Sequence, residues 1–461
     1  MPSQHSLEKG QIFMLDQMFT AENFRRIYDA ENRKGIDLAS RYFPSLGRHT
    51  LAIRDKVREI RQHRSFKTSM ATGAFETRLL ELKEELKALK AAKSTVVDSL
   101  MDDVSQRVLE QDLKINLSQK TGPKGKPVFC IDATPETFFV IKQLQRNVHL
   151  IYSVKQANRH DLVCQLRDVI DNSFPFEIVR TDISTFYESI DRRILIEKLD
   201  RDQLLSPSSK KYIKQVLDSY GVISSTPTGI PRGVGISAYL AEIYLRPVDK
   251  AIQEIPGIVL YCRFVDDIVA VFARPPSGKN LGSFKDLIIA ILKGHGLTHN
   301  GTKTSEYALS DSKIQKFEYL GYQFTLKAKN LEISPSAAKI EKYRERMKLA
   351  FAAYLKEKSL NSRHSFRNLV ARIKFLTGNT RLSNSKSRAA TGIYYNNSIV
   401  TDMTSFTELD KELNGLVDSI KSLKLKKRLR TLKFTTGFEE RRYHYFKGKE
   451  LKTIVRAWKH V

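Results

Sequence analysis

The stretch IVLYCRFVDDIVAVF, at residues 258–272, places two apolar runs on either side of the adjacent acids Asp266 and Asp267. Runs rich in Val, Ile and aromatic residues favour β-strands, and two of them meeting at a short polar step predict a hairpin with both acids at its tip. Crowding two carboxylates costs free energy unless a cation neutralises them, so the tip is a candidate divalent-metal site. The alternative is a surface turn, because a second pair, Asp102 and Asp103, lies in a helix-like stretch and is expected only to face water.

Two further segments give this hairpin a context. The run FEIVRTDISTFYESI, residues 176–190, contains a strand-like stretch that ends at an acid, Asp182. Between the two acidic segments, GIPRGVGISAYLAEIYL, residues 229–245, predicts a glycine-rich turn that leads into an amphipathic helix. If the strand ends converge, three carboxylates can hold two hard cations about 3.5–4 Å apart, the arrangement used for in-line phosphoryl transfer. Oxygen ligands favour Mg2+ or Mn2+.

The composition limits the class of protein. A length of 461 residues suggests about three domains, and 78 Lys and Arg against 51 Asp and Glu give a net charge of +27, which predicts a polyanionic partner. Cys130, Cys164 and Cys262 lack C-x-x-C spacing, which argues against a disulfide framework or a thiolate zinc site and fits a reducing cytosol. We expect no membrane segment and no signal peptide, since no apolar run approaches the ~18 residues that a spanning helix needs.

The texture of the chain changes twice. Residues 1–110 read as helical, residues 111–335 mix helices with β-rich runs, and residues 336–461 are again helix-like, with 337–358 as the longest candidate there. An α+β fold is therefore predicted. The β-rich runs are residues 177–180, 258–264, 268–272 and 317–324. An apolar stripe in the first region is either a coiled-coil seam or, as its shortness favours, an ordinary helix packing on its own core: Leu79, Leu82, Leu86, Leu89, Val96 and Leu100.

The last 41 residues are strongly basic. Residues 421–461 carry 14 Lys or Arg and 3 Asp or Glu, a local excess of +11. Interleaved aromatic residues could stack on bases while the cations contact phosphates: Phe434, Tyr443, Tyr445, Phe446 and Trp458. The pattern favours nucleic-acid contact over its alternative, a solvated basic helix with a few core aromatic residues.

The ordered motifs resemble those of the reverse transcriptases. Five segments are similar to palm motifs A to E, in that order: DISTFY at 182–187, GIPRG at 229–233, FVDD at 264–267, LTHNGTKT at 297–304 and FEYLGY at 317–322. The likeness covers roughly residues 140–330, about 40% of the chain. Within the family, the texture of 186–190 and of the flanking helical regions is most similar to the bacterial abortive-infection and defence-associated group. In that group, it resembles the type that pairs two polymerases with a noncoding RNA.

The resemblance implies a right-hand polymerase with three parts. These are a helical N-terminal extension (1–110), fingers and palm (111–335) and a basic helical thumb-like region (336–461). It also implies that two Mg2+ or Mn2+ ions are held by Asp182, Ile183, Asp266 and Asp267. By the same resemblance, Tyr187 is the gate that excludes a ribose hydroxyl, and Lys303 donates a proton to the departing pyrophosphate. For Tyr187 a core aromatic residue, and for Lys303 a solvated loop lysine, are the alternatives.

The nucleotide contacts are expected from two other places. In the fingers, Lys155 and Arg159 are four residues apart, on one face if the segment is helical, and could clamp a triphosphate. Arg180 and Arg167 are weaker candidates. In motif B, the backbone at Gly233 can approach a ligand closely, while Arg232 stands where the family usually has Gln, so template use could be unusual. Motif C begins with Phe264 in place of the more familiar Tyr.

The sequence thus favours an enzyme, an RNA-directed DNA polymerase (nucleotidyltransferase) that extends DNA from dNTPs. The resemblance implies antiviral defence in a bacterial cytoplasm, with a dedicated noncoding RNA template, a DNA product, a possible second polymerase subunit and a homo- or hetero-oligomeric state. Untemplated or protein-primed DNA synthesis is the first alternative, and a catalytically silent RNA-binding scaffold is the second. An RNA polymerase is disfavoured by Tyr187. No RNase H or endonuclease signature follows residue 336, which makes retroelement mobility the less favoured role.

Overall fold

The computed structural model describes most of the chain, in ten segments. They are residues 15–110, 113–122, 125–155, 157–172, 174–273, 282–308, 314–327, 330–358, 362–382 and 389–458. The turn at 274–278, which the sequence predicts as an exposed loop, lies outside them. The described residues form two compact units. Unit 1 contains the segments before residue 156 with 184–250 and 293–298, and unit 2 contains 157–183, 251–292 and the segments from 299 onward.

The elements alternate as the α+β prediction requires. The first half of the chain contains α1 (Ala21–Arg33), α2 (Leu38–Tyr42), a 3-10 helix (Pro44–Leu46), α3 (Gly47–Ser65), α4 (Thr72–Glu110), β1 (Leu117–Thr121), β2 (Pro127–Ile131), α5 (Pro135–Ile151), α6 (Arg159–Ile170), β3 (Phe176–Asp182), α7 (Phe186–Ser189), α8 (Arg192–Asp202), α9 (Pro207–Ser224) and α10 (Gly235–Gln253). The second half contains β4 (Ile258–Phe264), β5 (Asp267–Ala273), α11 (Phe284–Gly294), β6 (Ser305–Ala308), β7 (Gln315–Tyr319), β8 (Tyr322–Lys327), β9 (Asn330–Pro335), α12 (Ala337–Lys358), α13 (Ser362–Thr377), β10 (Asn379–Arg381), β11 (Ala390–Gly392), α14 (Thr404–Asp418), α15 (Leu423–Arg430), α16 (Phe434–Glu439) and α17 (Gly448–Arg456).

Unit 1 is held together by packing of its helices around an aromatic cluster. The Phe24 and Phe139 rings lie 5.4 Å apart, centroid to centroid, and join α1 to α5. Helix α4 packs on α1, α3 and α5, with Leu82 fully buried and Leu86 half-buried. The other stripe residues are also half-buried, and the fully buried positions of α4 lie mostly outside the stripe, at Phe75, Val97, Met101, Val104 and Val108. The choice between a seam and an ordinary helix stays a prediction. Among the described helices, none combines the length and the apolarity that crossing a membrane requires.

Unit 2 contains the sheet that carries the acids. Its four strands lie in the order β4-β5-β3-β6, and every neighbouring pair is antiparallel. A second, three-stranded sheet has the order β7-β8-β9, and β10 pairs with β11. One hydrophobic core runs from α6 and the first sheet through the second sheet into the C-terminal helices. The sheet that carries the acidic hairpin is therefore packed into the core of unit 2.

The predicted strands are found, with one correction. The run 258–264 is β4, and the predicted helix 337–358 is α12, each with the expected bounds. The run 317–324 is not one strand but the strands β7 and β8 joined by a turn at Leu320 and Gly321. Both turn residues have positive φ, 46° and 80°, as a two-residue hairpin turn requires. The alternating aromatic residues are odd-numbered before the turn (Phe317 and Tyr319) and even-numbered after it (Tyr322 and Phe324), so the change of phase and Gly321 mark the turn in the sequence. The three-domain division at 110 and 335 stays a prediction.

Two helical glycines test the packing of unit 2. A Cβ added at Gly437, in α16, would lie 1.6 Å from the backbone oxygen of Thr377, whereas a Cβ at Gly415, in α14, would meet nothing within 4 Å. We expect Gly437→Ala to lower the free energy of unfolding by roughly 3 kcal/mol through overpacking. Gly415→Ala should raise it by roughly 0.5–1 kcal/mol through helix propensity. Urea unfolding of both variants measures this, and equal effects would contradict the described packing of α16.

Candidate active site

The pairing of β3 with β5 places two of the predicted acids side by side. Asp182 and Asp267 are direct cross-strand partners. Side chains of such partners share one face of the sheet, with Cβ atoms about 4.5–5.5 Å apart. Asp266 lies in the turn before β5, and its carbonyl oxygen accepts a hydrogen bond from the Ile183 N–H at 3.0 Å. The structure thus brings Asp182, Asp266 and Asp267 to one end of one sheet.

The hairpin tip is strained. Only Val265 and Asp266 separate the paired residues Phe264 and Asp267. Val265 has φ of 62°, in the left-handed region that a β-branched residue rarely adopts. Such strain persists where the surrounding structure fixes the backbone, and it concentrates at functional sites. Here the flanking ladder of β4 and β5 fixes the direction of the acidic turn.

Lys303 lies against the first acid. Its Nζ is 2.9 Å from Oδ2 of Asp182. The turn that carries Lys303 is attached to β3 through Asn300, whose N–H donates to the Asp182 backbone oxygen at 2.7 Å and whose Nδ2 lies 3.4 Å from Oδ2. The lysine side chain is half exposed, whereas the Asp182 side chain is 11% exposed. Lys303 can therefore move into solvent while the carboxylate stays in place.

Arg180 holds the second acid. Its Nε lies 3.3 Å from Oδ1 of Asp267, and both side chains are more than four-fifths buried. Burial raises the pKa of Asp267, the Arg180 guanidinium opposes that rise, and the charges of Asp182 and Asp266 add to it. The repulsion shows that the three acids act on one another electrostatically. Any further cation placed among them would stabilise their charged forms.

The residues fit a hard divalent cation in the chemistry of their donors. Asp182, Asp266 and Asp267 offer carboxylate oxygens, and Ile183, whose side chain is buried, could offer only its backbone carbonyl. In the described residues, no group of three or more His, Cys, Asp or Glu has the arrangement of a preformed metal centre. Instead of a metal ion, Lys303 pairs with Asp182 and Arg180 pairs with Asp267. A metal ion bound to Oδ2 of Asp182 would compete with Lys303 for that oxygen.

A second group of predicted residues lies in unit 1. The Arg232 Nη2 atom is 3.1 Å from both carboxylate oxygens of Glu188, and the guanidinium carbon lies 5.4 Å from the centre of the Tyr187 ring. Arg232 is thus already paired, and it packs on the ring of Tyr187, the last residue of motif A. At Gly233, φ is 99° and a Cβ would lie 2.4 Å from Val128 Cγ1. The space that this glycine leaves is therefore filled by β2.

Lys155 and Arg159, the predicted clamp, do not share one helical face, and the clamp itself stays a prediction. Asn158 caps α6, so Arg159 is its first residue and Lys155 lies before it outside any helix. The Arg159 guanidinium carbon lies 5.6 Å from the centre of the ring of Phe264, the first residue of motif C. Arg159 also lines a cavity of about 610 Å3 in unit 2 together with His160, Tyr322, Lys339, Lys342 and Arg346. This cavity is cationic, which suits a phosphate.

Several functional candidates were missed or undervalued in the sequence. Lys339 donates a hydrogen bond to the Asn396 carbonyl oxygen at 2.7 Å, and burial, with Arg159 adding to it, lowers its pKa to about 8. Nothing in the local pattern marks it. Arg180 is named in the sequence only as a weaker nucleotide contact, yet its place beside the acids is predictable, because it precedes Asp182 by two residues and so shares its face of β3. Arg167, the other weak candidate, pairs with Asp168 at 2.7 Å.

The Arg180–Asp267 pair gives a stability test with a definite sign. Because the folded pKa of Asp267 is raised, its ionisation weakens the fold as pH rises through that pKa, and the penalty is absent below the unfolded pKa of about 3.8. Removing Arg180 raises the folded pKa further. We expect Arg180→Met to lower the free energy of unfolding by roughly 3 kcal/mol at pH 7, and by progressively less as the pH falls and Asp267 protonates.

The matched control is Arg167→Met, which breaks the more exposed pair with Asp168 and should change stability by less than about 1 kcal/mol. Urea unfolding between pH 3.5 and 7 measures both variants. If Arg180→Met lowers the free energy of unfolding by the same amount at every pH, the role given to Asp267 is contradicted.

Comparison with known proteins agrees with the motifs. Residues 144–324 match the family model described as reverse transcriptase (RNA-dependent DNA polymerase), about two fifths of the chain. No curated protein matches the sequence. Among solved structures, the chain is similar to apo telomerase from Candida tropicalis, with 13% identity and a TM-score of 0.41, over 76% of this chain and 63% of that chain.

Two other telomerase structures are similar at the same level. Telomerase from Candida albicans in complex with a fragment of telomeric RNA has 11% identity and a TM-score of 0.36, over 76% of this chain and 63% of that chain. Apo telomerase from Candida tropicalis truncated from its C-terminal domain has 13% identity and a TM-score of 0.33, over 51% and 60%. The chain spans about 60% of the length of these proteins. The family match confirms the α+β polymerase fold, and the chain contains a reverse transcriptase domain at residues 144–324.

Proposed function

We propose that the protein is an RNA-directed DNA polymerase whose catalytic acids are Asp182, Asp266 and Asp267. The observation that carries the proposal is the cross-strand pairing of Asp182 with Asp267, with Asp266 in the adjoining turn. Three acids crowded at one end of a sheet repel one another, and a scaffold would maintain them at a cost in free energy. A polymerase uses that charge to hold its metal ions and its substrate.

The acids would hold two Mg2+ or Mn2+ ions. When bound, such ions lower the pKa of the attacking 3'-hydroxyl and stabilise the charge on the leaving pyrophosphate. Lys303 is placed to leave Asp182 as a metal arrives and to donate its proton to the leaving group. Arg180 stays on Asp267 and fixes the direction of that carboxylate. Arg159 and Lys339, in the cationic cavity, would contact phosphates of the nucleic acid or nucleotide.

The wider role follows the resemblance of the motifs. It includes an RNA template, most simply a dedicated noncoding RNA, a DNA product made from dNTPs, and antiviral defence of the abortive-infection type in a bacterial cytoplasm. Assembly with a second polymerase subunit or into a homo-oligomer belongs to the same proposal. The net charge of +27 supports a nucleic-acid partner.

The catalytic assignment is tested by removing one acid. Asp266→Ala should lower dNTP incorporation by roughly 10³-fold, since a metal-held transition state is stabilised by several kcal/mol and each 1.36 kcal/mol is tenfold. Incorporation of labelled dNTP by the purified protein, with its copurifying RNA, measures it. The adjacent pair Asp102 and Asp103, exposed on α4, supplies the control: Asp102→Ala and Asp103→Ala should retain the parent's rate. Equal incorporation by Asp266→Ala and the parent would remove the proposed role.

The choice of sugar is tested at Tyr187. Its bulk is expected to exclude a 2'-hydroxyl, so Tyr187→Ala should reduce the preference for dNTP over rNTP by roughly tenfold or more, the discrimination that a steric pocket achieves. Tyr187→Phe keeps the ring and should keep the preference. Single-nucleotide incorporation with each sugar gives both values. A preference unchanged in Tyr187→Ala would argue for a different gate.

A further inference from the structure

A basic pocket lies in the C-terminal helical region, outside the matched residues 144–324. It encloses about 760 Å3 within unit 2. Its cations come from two helices: Arg367 and Lys374 from α13, and Lys424, Lys427 and Arg428 from α15. The segment 444–446, before α17, completes the lining. We refer to this site as the basic pocket.

The cations of the basic pocket lie on two helices, and those on α15 are exposed. Lys424, Lys427 and Arg428 follow the i, i+3, i+4 spacing of one helical face, while Leu425 and Leu429, which alternate with them, are fully buried in the core. On α13, Arg367 and Lys374 flank an apolar floor at Val370 and Ala371. The pocket is thus built on two helices that are fixed by the core.

The five cations of the basic pocket outnumber its single acid, Glu450. In the part of the chain that the structure describes, none of the five cations forms an ion pair. Glu450, an acid of the lining, accepts a hydrogen bond from the Lys447 N–H at 2.7 Å and so caps α17. The positive charge also acts on His444, which lines the pocket. Burial lowers the pKa of His444, and Lys374, Arg442 and Arg428 lower it further. An anion would be stabilised in this pocket.

An exposed aromatic ring stands at the rim. Tyr445 is 83% exposed, although its neighbour Phe446 is buried against Phe375, with ring centroids 6.0 Å apart. The His444 N–H donates to the Asn379 carbonyl oxygen at 2.7 Å, which attaches the same segment to β10. The backbone at Tyr445 is therefore anchored on both sides, and its ring is presented to solvent. A planar ring next to unpaired cations suits a nucleobase followed by phosphates.

We propose that the basic pocket binds an unpaired stretch of RNA, with a base stacked on Tyr445 and the flanking phosphates against Lys424, Lys427 and Arg428. A double helix hides its base faces in the stack and cannot offer one to Tyr445, whereas a single strand can. A volume of about 760 Å3 is within the range of pockets that enclose small ligands, so it suits one or two nucleotides. The basic pocket would be one place where the RNA of the proposed function binds. The choice of RNA over DNA rests on that proposed function.

Equilibrium binding tests the proposal. Fluorescence anisotropy of the full chain would be measured with a labelled ten-nucleotide unstructured RNA, the DNA of the same sequence and the corresponding RNA duplex. Tyr445→Ala should weaken binding of the single-stranded RNA roughly 5- to 150-fold, the effect of removing one stacked base, and Tyr445→Phe should not. The double change Lys424→Ala with Lys427→Ala should reduce the slope of log K against log salt by about 1.4, or 0.7 for each phosphate that is no longer neutralised.

The control is the double change Lys433→Ala with Lys449→Ala, which removes two exposed lysines of the same region outside the pocket lining and should leave the slope unchanged. Unfolding midpoints of all variants should match the parent, because the substituted side chains are exposed. Unchanged RNA binding in Tyr445→Ala and in the Lys424/Lys427 variant would overturn the proposal. Tighter binding of the duplex or of the DNA, or equal competition by polyglutamate, would also overturn it.

The same samples separate this inference from the proposed function. Incorporation of dNTP by the parent tests the proposed function of the palm acids, whereas the RNA affinity of the pocket variants tests the basic pocket. An inactive parent that binds RNA through the basic pocket would contradict only the proposed function. An active parent whose RNA affinity ignores the pocket variants would contradict only the inference.

Discussion

The antiparallel pairing of β3 with β5 is the constraint on which the site depends. That register places Asp182 opposite Asp267 and leaves Asp266 in a two-residue turn. A slip of one residue would turn one acid to the other face of the sheet, so the register decides whether the acids meet at all. Buried side chains on both strands fix it: Ile178, Val179, Val269 and Val271 are at most 2% exposed. Core packing thus sets the position of charge.

Two of the three acids pair with a cation on a neighbouring element. Asp267 is paired with Arg180 on the neighbouring strand, and Asp182 is paired with the half-exposed Lys303. The first pair is buried and rigid, and the second has one partner in solvent. In the proposed mechanism this asymmetry would make Arg180 a positioning residue and would let Lys303 exchange partners. Elsewhere, the exposed acids Asp102 and Asp103 need no such compensation.

Local patterns predicted the strands and the acidic tip because both depend on residues that are consecutive in the sequence. Tertiary packing decided what the patterns left open. The segment 155–159 contains two cations with helical spacing, yet the Asn158 cap starts α6 between them. Among the C-terminal aromatic residues, Phe434, Phe446 and Trp458 are core residues, whereas Tyr443 and Tyr445 are exposed. Composition cannot separate these two groups, since burial depends on which helix packs on which. Arg232 likewise has Glu188 as its partner through a contact 44 residues away.

We propose that the acids at the end of β3 and β5 hold metal ions for nucleotide transfer. Anomalous diffraction from crystals grown with Mn2+ and a dNTP would locate such ions. We expect two peaks about 3.5–4 Å apart, in contact with carboxylate oxygens of Asp182 and of the Asp266–Asp267 turn, with Lys303 displaced from Asp182. Peaks elsewhere, or an intact Lys303–Asp182 pair at saturating Mn2+ and dNTP, would contradict it.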